Sequence, residues 1–294
     1  MIKYFLITTS ITLLFNCKNA SDADGINSKD NSIHAYNIYS KEVGDTFSIS
    51  VYHPQMSATN QHAQLPVVYV LDANLYFDMV VSMCKGYEKV GLLPPMIVVG
   101  IGYRDIYAMD SLRNRDYTFP EAIPIYEMIV SGRAMQFQSF IQSELIPEID
   151  KKFKTDAGTR ILAGHSLGGY FTLFALHQNL EAGKNTFSHY IAASPSLHYN
   201  HYYITEQFGK IKRNEEVSGN LFLSYGGQED FNDGEPSMIA SKVLFERIEK
   251  SIDVDGRDDC EVNAFSNLNH MQTAMPTFMK GLEKAFAGPP IERE

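Results

Sequence analysis

A serine set between glycines, Gly164-His165-Ser166-Leu167-Gly168, directly follows the apolar run Arg160–Ala163 and directly precedes residues at helical spacing that begin near Gly169-Tyr170. Flanking glycines permit a tight, strained strand-to-helix turn that lifts the hydroxyl above a sheet. A helix start also aims the Leu167 amide at negative charge developing beside the serine. The chemistry this predicts is nucleophilic attack by Ser166 on a carbonyl, which needs a base. Of the nine histidines, His34, His53 and His62 precede the serine, and His165 is the variable residue inside the pentapeptide. His177 falls in the following helix, and His189, His198 and His201 surround the next strand. His270, in Asn267-Leu268-Asn269-His270-Met271 after the last predicted strand, stands where folds built on such an elbow, with the order Ser, acid, His, place the base. The orienting carboxylate is expected after the penultimate strand, in Tyr225-Gly226-Gly227-Gln228-Glu229-Asp230-Phe231-Asn232-Asp233. A Gly-x-x-acid turn counted from Gly226 selects Glu229; Asp230, counted from Gly227, is the reserve, and Asp233 lies further out. The second oxyanion donor is expected in the loop after an early strand, from the amide of Ala73 or Asn74. Asp72 is also suited to capping a helix that starts at Leu75.

These residues need strands and helices to hold them. His34 to His53 alternates apolar and polar residues around Gly44-Asp45, which predicts an antiparallel pair at a sheet edge. Val67–Leu71, Met96–Gly100, Ile161–Ala163, Tyr190–Ala193, Leu221–Tyr225 and Val262–Phe265 are short apolar runs, as buried parallel strands are. Leu75–Val90, Arg133–Phe153, Tyr170–Gln178, Glu235–Ile252 and Thr273–Phe286 carry apolar residues three and four apart, predicting helices. The alternation predicts an α/β fold with a mostly parallel central sheet, helices on both faces, and the chemistry at the carboxyl ends of the strands. Arg104–Ser131, with Arg113, Arg115, Pro120 and Pro124, reads as one long irregular loop, either a lid or a passive insertion.

Composition bounds the rest. The 294 residues are 44% hydrophobic and 20% charged, enough for a large core. A net charge of −10 without a basic run argues against nucleic acid as a partner. Three cysteines make no disulfide framework, and no metal or cofactor is expected. Cys84 in the first helix and Cys260 at a strand start are expected to be buried rather than reactive. Residues 1–16 hold Lys3 and then an apolar run, Tyr4 to Phe15, shorter than the roughly 20 residues of a membrane span, and read as an export signal. Leu14-Phe15-Asn16-Cys17 looks like a relaxed lipobox, making Cys17 the expected lipidated residue of a cell-envelope lipoprotein. Phe15 and Asn16 depart from the small-residue pattern, and an ordinary secreted protein is the alternative. Residues 17–33 are polar and read as a flexible tether, 34–288 as the folded domain and 289–294 as a tail.

Taken together, the folded part resembles the esterase family of α/β hydrolases that includes esterase D, feruloyl esterases, mycolyltransferases and ferric-siderophore esterases. Pro66–Asp72 resembles the family's early strand and oxyanion loop, and Phe140–Pro147 its helix before the elbow. Val99–Tyr103 with Arg113–Thr118 resembles the siderophore branch; Gly164–Gly169 and the late His270 complete the likeness. The resemblance implies an α/β-hydrolase fold, Ser166 as nucleophile, His270 as general base and acid, and Glu229 at the acid position. The adjacent Asp230 keeps that last assignment open, and the siderophore branch implies that the acid itself is dispensable in some members. The expected activity is metal-independent carboxylic ester hydrolysis through an acyl-enzyme, on a small-molecule siderophore lactone or a glycan-linked ester. An acyltransferase and a non-catalytic envelope binding protein are the alternatives. Arg113 or Arg115 would meet anionic catecholates, or else be paired loop charges. Tyr199, Tyr202 and Tyr203 beside His198 and His201 would stack on a ligand, or else form a half-buried amphipathic segment, which is the reading preferred here.

Overall fold

The computed structural model describes residues 32–56, 63–211, 219–229, 239–253 and 259–287. The expected signal, Cys17, nearly all of the tether, Asp230 and the tail lie outside them. Eight strands form one sheet in the order β1-β2-β4-β3-β5-β6-β7-β8. The edge hairpin is β1 (Ile33–Ser40) and β2 (Asp45–Tyr52), antiparallel to each other, and β2 is antiparallel to β4 (Ile97–Gly102). From there β3 (Leu65–Val70), β5 (Thr155–His165), β6 (His189–Ala193), β7 (Asn220–Gly226) and β8 (Cys260–Phe265) continue in parallel. The predicted hairpin and all six predicted core strands are present.

The central strands are apolar on both faces because both faces are covered. Successive side chains alternate, so Val67, Tyr69 and Leu71 face one core while Val68 and Val70 face the other. The smaller core is closed by Tyr76, Phe77 and Val80 of α1 (Ala73–Lys89) and Phe278 and Leu282 of α8 (Ala274–Ala285). The larger is closed by α2 (Ile106–Tyr117), α3 (Ala134–Phe140) with α4 (Ile146–Lys152), α5 (Leu167–Ala182), α6 (Tyr199–Phe208) and α7 (Ser241–Ile252). Each fully buried aromatic or aliphatic side chain contributes about 1.5–3 kcal/mol relative to exposure. Cys84 and Cys260 are buried, as expected.

Three expectations are corrected, and a fourth is borne out. The stretch Arg104–Ser131 is not one irregular loop, because its first half is helix α2, started by Asp105, whose side chain accepts from the Ala108 amide at 2.8 Å. The helix over Arg133–Phe153 is interrupted by a π-turn at Ile141–Leu145. The helix expected over Glu235–Ile252 is broken at Ile239-Ala240: α7 begins at Ser241 with Ala240 extended (φ −56°, ψ 139°) at its N-cap, and residues 235–238 lie outside the described ones. The tyrosine-rich segment forms α6, entered through three successive left-handed residues, Asn200, His201 and Tyr202. Tyr199 is buried and Tyr202 and Tyr203 half-buried, which is the amphipathic reading.

In the sheet order, β3 has β4 on one side and β5 on the other. The chain reverses its direction of travel there, and a crevice opens beyond the strand ends at that point.

Candidate active site

Ser166 sits at this crevice, between the end of β5 and the start of α5, as the elbow pattern predicts; the helix starts at Leu167, nearer the serine than its apolar spacing indicates. Three strand exits in a row carry a non-glycine residue at positive φ: Asp72 after β3 (51°), Ser166 after β5 (59°) and Ser194 after β6 (39°). Such backbone persists only where its surroundings determine it. For Ser166 (φ 59°, ψ −120°) they do: its amide donates to the Ala193 carbonyl at 3.0 Å, and its carbonyl accepts from the Tyr170 and Ser196 amides at 2.9 and 3.1 Å. Gly164 is required by the closeness of the turn, since a Cβ there would lie 2.3 Å from the Gly168 carbonyl oxygen.

His270 and Glu229 are brought together. Glu229 follows β7, and one of its oxygens lies 3.4 Å from His270 Nδ1. Its other oxygen accepts from Ser194 Oγ and from the Gly226 amide. Burial alone would raise this carboxyl, but the bonds from His270, Ser194 and Gly226 outweigh it and hold it below the usual carboxylate range. Gly226 lets the β7 and β8 turns meet: a Cβ on it would fall 2.4 Å from the Leu268 carbonyl oxygen. The His270 side chain is about two-fifths exposed (38%) while that of Glu229 is largely buried (10%), so the imidazole meets solvent and the carboxylate does not. Among the described residues, Ser166 Oγ makes its hydrogen bond with Ser196 Oγ, at 3.4 Å, and not with His270. The His270 turn nonetheless packs against the elbow, its ring 4.7 Å from that of His165, the residue preceding the serine. Nucleophile and base commonly close their hydrogen bond only when substrate is bound.

The Leu167, Ala73 and Asn74 amides all lie in the first turn of a helix, where backbone N–H groups have no intrahelical partner. The Asn74 side chain is occupied elsewhere, clamping Tyr103 by a donor and an acceptor contact at 2.9 and 2.8 Å. The expectation that Asp72 caps α1 is overturned: at the N-cap position its side chain makes no capping bond. It takes a two-pronged ion pair from Arg113 instead, Nε to Oδ1 at 3.0 Å and Nη2 to Oδ2 at 2.8 Å. Arg113 Nη2 also donates to the His165 carbonyl at 3.3 Å, and the Asp72 amide to Tyr117 Oη at 3.2 Å. Arg115 is held by Asp116 and Asp45, its nitrogens 2.8 and 2.7 Å from their carboxylates. Both arginines are therefore paired charges of the fold, not free ligand contacts.

Sequence reasoning passed over His165 as the variable residue of the motif. Its ring is buried (2% exposed) and doubly bonded, Nδ1 to Tyr76 Oη at 3.0 Å and Nε2 to the His270 carbonyl at 2.8 Å. Burial, then the nearby His270, push its pKa down to about 4, so it is neutral near pH 7.

The profile of the esterase family matches residues 40–242. The ferri-bacillibactin esterase BesA of Bacillus subtilis is 32% identical over 223 residues, covering 71% of this chain and 74% of that protein. Among solved structures, the BES protein from Bacillus cereus aligns with a TM-score of 0.69 at 25% identity, over 97% of this chain and all (100%) of that one. The enterobactin hydrolase IroE, solved in complex with DFP, a serine hydrolase inhibitor, aligns with a TM-score of 0.64 at 19% identity, over 86% of this chain and 94% of that one, a likeness of fold. With an eight-stranded, mostly parallel sheet in this order and a strand-serine-helix elbow at its switch point, the chain belongs to the esterase family of α/β hydrolases.

Proposed function

We propose that this esterase hydrolyses siderophore esters through an acyl-enzyme on Ser166. The observation that carries the reading is the buried Glu229 carboxylate directed at His270 Nδ1 beside the Ser166 elbow. With Nδ1–H donating to Glu229, His270 presents Nε2 as the base. Ser166 Oγ leaves Ser196, gives its proton to His270 Nε2 and bonds to the ester carbonyl carbon, whose π electrons move onto oxygen. The amides of Leu167 and of Ala73 or Asn74 receive that oxyanion, each such donor being worth about 3–4 kcal/mol in the transition state. Collapse expels the alkoxide, which takes the proton from His270; water, deprotonated by His270, then releases the acid and restores Ser166. The substrate class follows the relatives, whose names tie them to ferri-bacillibactin and enterobactin. Substrate would reach an enzyme held at the cell envelope by a lipid on Cys17, after export directed by residues 1–16.

The test is hydrolysis of p-nitrophenyl acetate and then of enterobactin and ferri-bacillibactin by the full chain and by Ser166→Ala. Turnover of the siderophores that disappears in the variant is the expected result. Cleavage of feruloyl or acetyl-sugar esters in preference to siderophores would refute the substrate class, and activity surviving in Ser166→Ala would refute the nucleophile.

A further inference from the structure

His165 occupies a position that the motif leaves to any residue, yet both of its ring nitrogens are used. A carbonyl oxygen only accepts, so the nitrogen facing the His270 carbonyl, Nε2, carries the hydrogen. Nδ1 is then a lone pair that accepts from the Tyr76 hydroxyl. This leaves no nitrogen free to take a proton from Ser166, which separates His165 from the base although the two rings are neighbours. The three partners lie on three different strand exits. Tyr76 is in the first turns of α1, two residues after Asn74; His165 ends β5; His270 opens the turn after β8. Tyr76 is in turn fixed by an edge-on contact with Phe278, ring centroids 5.7 Å apart at 90°. The His270 carbonyl also accepts from Thr273 Oγ1 at 2.8 Å, so its backbone is held from two directions.

We infer that His165 is a positioning residue for the reaction: its imidazole, oriented by Tyr76, ties the main chain of His270 to the nucleophile's elbow and so sets where the base stands. The inference rests on the proposed roles of Ser166 and His270. Once the tie is cut, the His270 carbonyl keeps only the Thr273 hydroxyl of these two side-chain bonds, while the turn keeps its Asn269–Gln272 capping box and the Glu229 contact; a displacement of about 1 Å at the base costs on the order of 100-fold in rate. The tie touches no substrate, so the loss falls on kcat and leaves KM within a few-fold.

The experiment compares His165→Phe, which keeps the ring and loses both nitrogens, with His165→Gln, whose amide nitrogen reaches the place of Nε2, and with Tyr76→Phe. Each is assayed on p-nitrophenyl butyrate for kcat and KM and melted by circular dichroism, with wild type and Ser166→Ala alongside. The expected result is a kcat lowered 10- to 100-fold in His165→Phe, KM little changed, and recovery to within about five-fold in His165→Gln at a similar melting temperature. Tyr76→Phe is expected to lie between them. A His165→Phe enzyme with wild-type kcat overturns the inference, and so does a His165→Gln enzyme that folds equally well but is no more active than the phenylalanine variant. Ser166→Ala reports separately on the underlying reading: if it stays active the nucleophile is misassigned, whereas if it is dead and His165→Phe is normal, only the positioning role falls.

Discussion

Replacing Arg113 by Met strips a buried carboxylate of its partner, and the structure sets how much that costs. The Asp72 side chain is 1% exposed, and Arg113, 16% exposed, supplies two parallel N–H bonds to it at 3.0 and 2.8 Å. Removing one member of a buried pair costs about 3–5 kcal/mol because the other charge is left unsolvated. The partial exposure of Arg113 admits some water, which places the expectation near the lower end, about 3 kcal/mol. At 2–4 °C per kcal/mol for a chain of this size, the melting temperature should fall by roughly 6–12 °C. Asp72→Asn removes the charge instead, and asparagine tolerates the left-handed backbone at this position (φ 51°, ψ 45°). The double variant Arg113→Met/Asp72→Asn should therefore regain about 2 kcal/mol over Arg113→Met alone, a coupling that a double-mutant cycle by urea denaturation measures directly. Asp72 immediately precedes the amides of Ala73 and Asn74, so kcat on p-nitrophenyl butyrate should fall on the order of 100-fold in Arg113→Met, as for one lost oxyanion donor. An Arg113→Met enzyme within about 1 kcal/mol of wild type, or additive single variants, would show that the pair is solvated and that the oxyanion loop stands without it.

Two further predictions concern the elbow. His165 has its pKa lowered to about 4 from an ordinary 6.5, so between those values the unfolded chain binds a proton that the folded chain does not. Its contribution is complete above pH 6.5 and is lost as pH falls toward 4, by up to about 3 kcal/mol at roughly 1.4 kcal/mol per unit. Urea denaturation at pH 7 and 4.5 should show wild type losing more stability than His165→Gln, and parallel losses would refute this. Gly164→Ala puts a carbon 2.3 Å from the Gly168 carbonyl oxygen, whereas at Gly86 nothing lies within 4 Å of an added Cβ. A fluorophosphonate should label Gly86→Ala like wild type and fail to label Gly164→Ala; equal labelling would mean that the elbow yields.

The strands and the serine are legible in the sequence for related reasons. Strands buried on both faces can be built only from unbroken apolar runs, and a turn this tight admits only glycine at 164. Strand order points to His270 and to the turn after β7, because the parallel sheet leaves few places where a chain can reach the serine; within that turn the Gly-x-x-acid count from Gly226, not strand order, favours Glu229 over Asp230. Helix α2 is hidden because the residues it buries at its end are Arg115, Asp116 and Tyr117, so charge that reads as exposed loop is internal. Its cue was Asp105 three residues before Ala108. The fate of Asp72 is invisible for another reason: its partner Arg113 lies 41 residues away, and nothing local distinguishes a helix cap from half of an ion pair. The left-handed entry into α6 is weakly marked: Asn200 and His201 are of types enriched in such backbone, whereas Tyr202 is not.

The main chain of the segment between α2 and α3 is hung on side chains of α5 and α6, beside the packing of Phe119, Tyr126 and Met128 against the core. Tyr170 Oη donates to the Phe119 carbonyl at 2.6 Å, Tyr199 Oη to that of Pro120 at 2.8 Å, and Asn200 Nδ2 to that of Glu121 at 2.8 Å; Asn200 Oδ1 accepts from the Ile123 amide at 3.1 Å. The side chains at 121, 125 and 129 therefore carry little of the attachment, and Ile125 and Ile129 are 81% and 98% exposed. Ser196 and His198, which lead into the anchoring helix, are the neighbours of the serine and of this segment respectively. Substitutions at 121, 125 and 129 would therefore leave every one of these bonds in place, so the path of the segment is set independently of the side chains it turns outward.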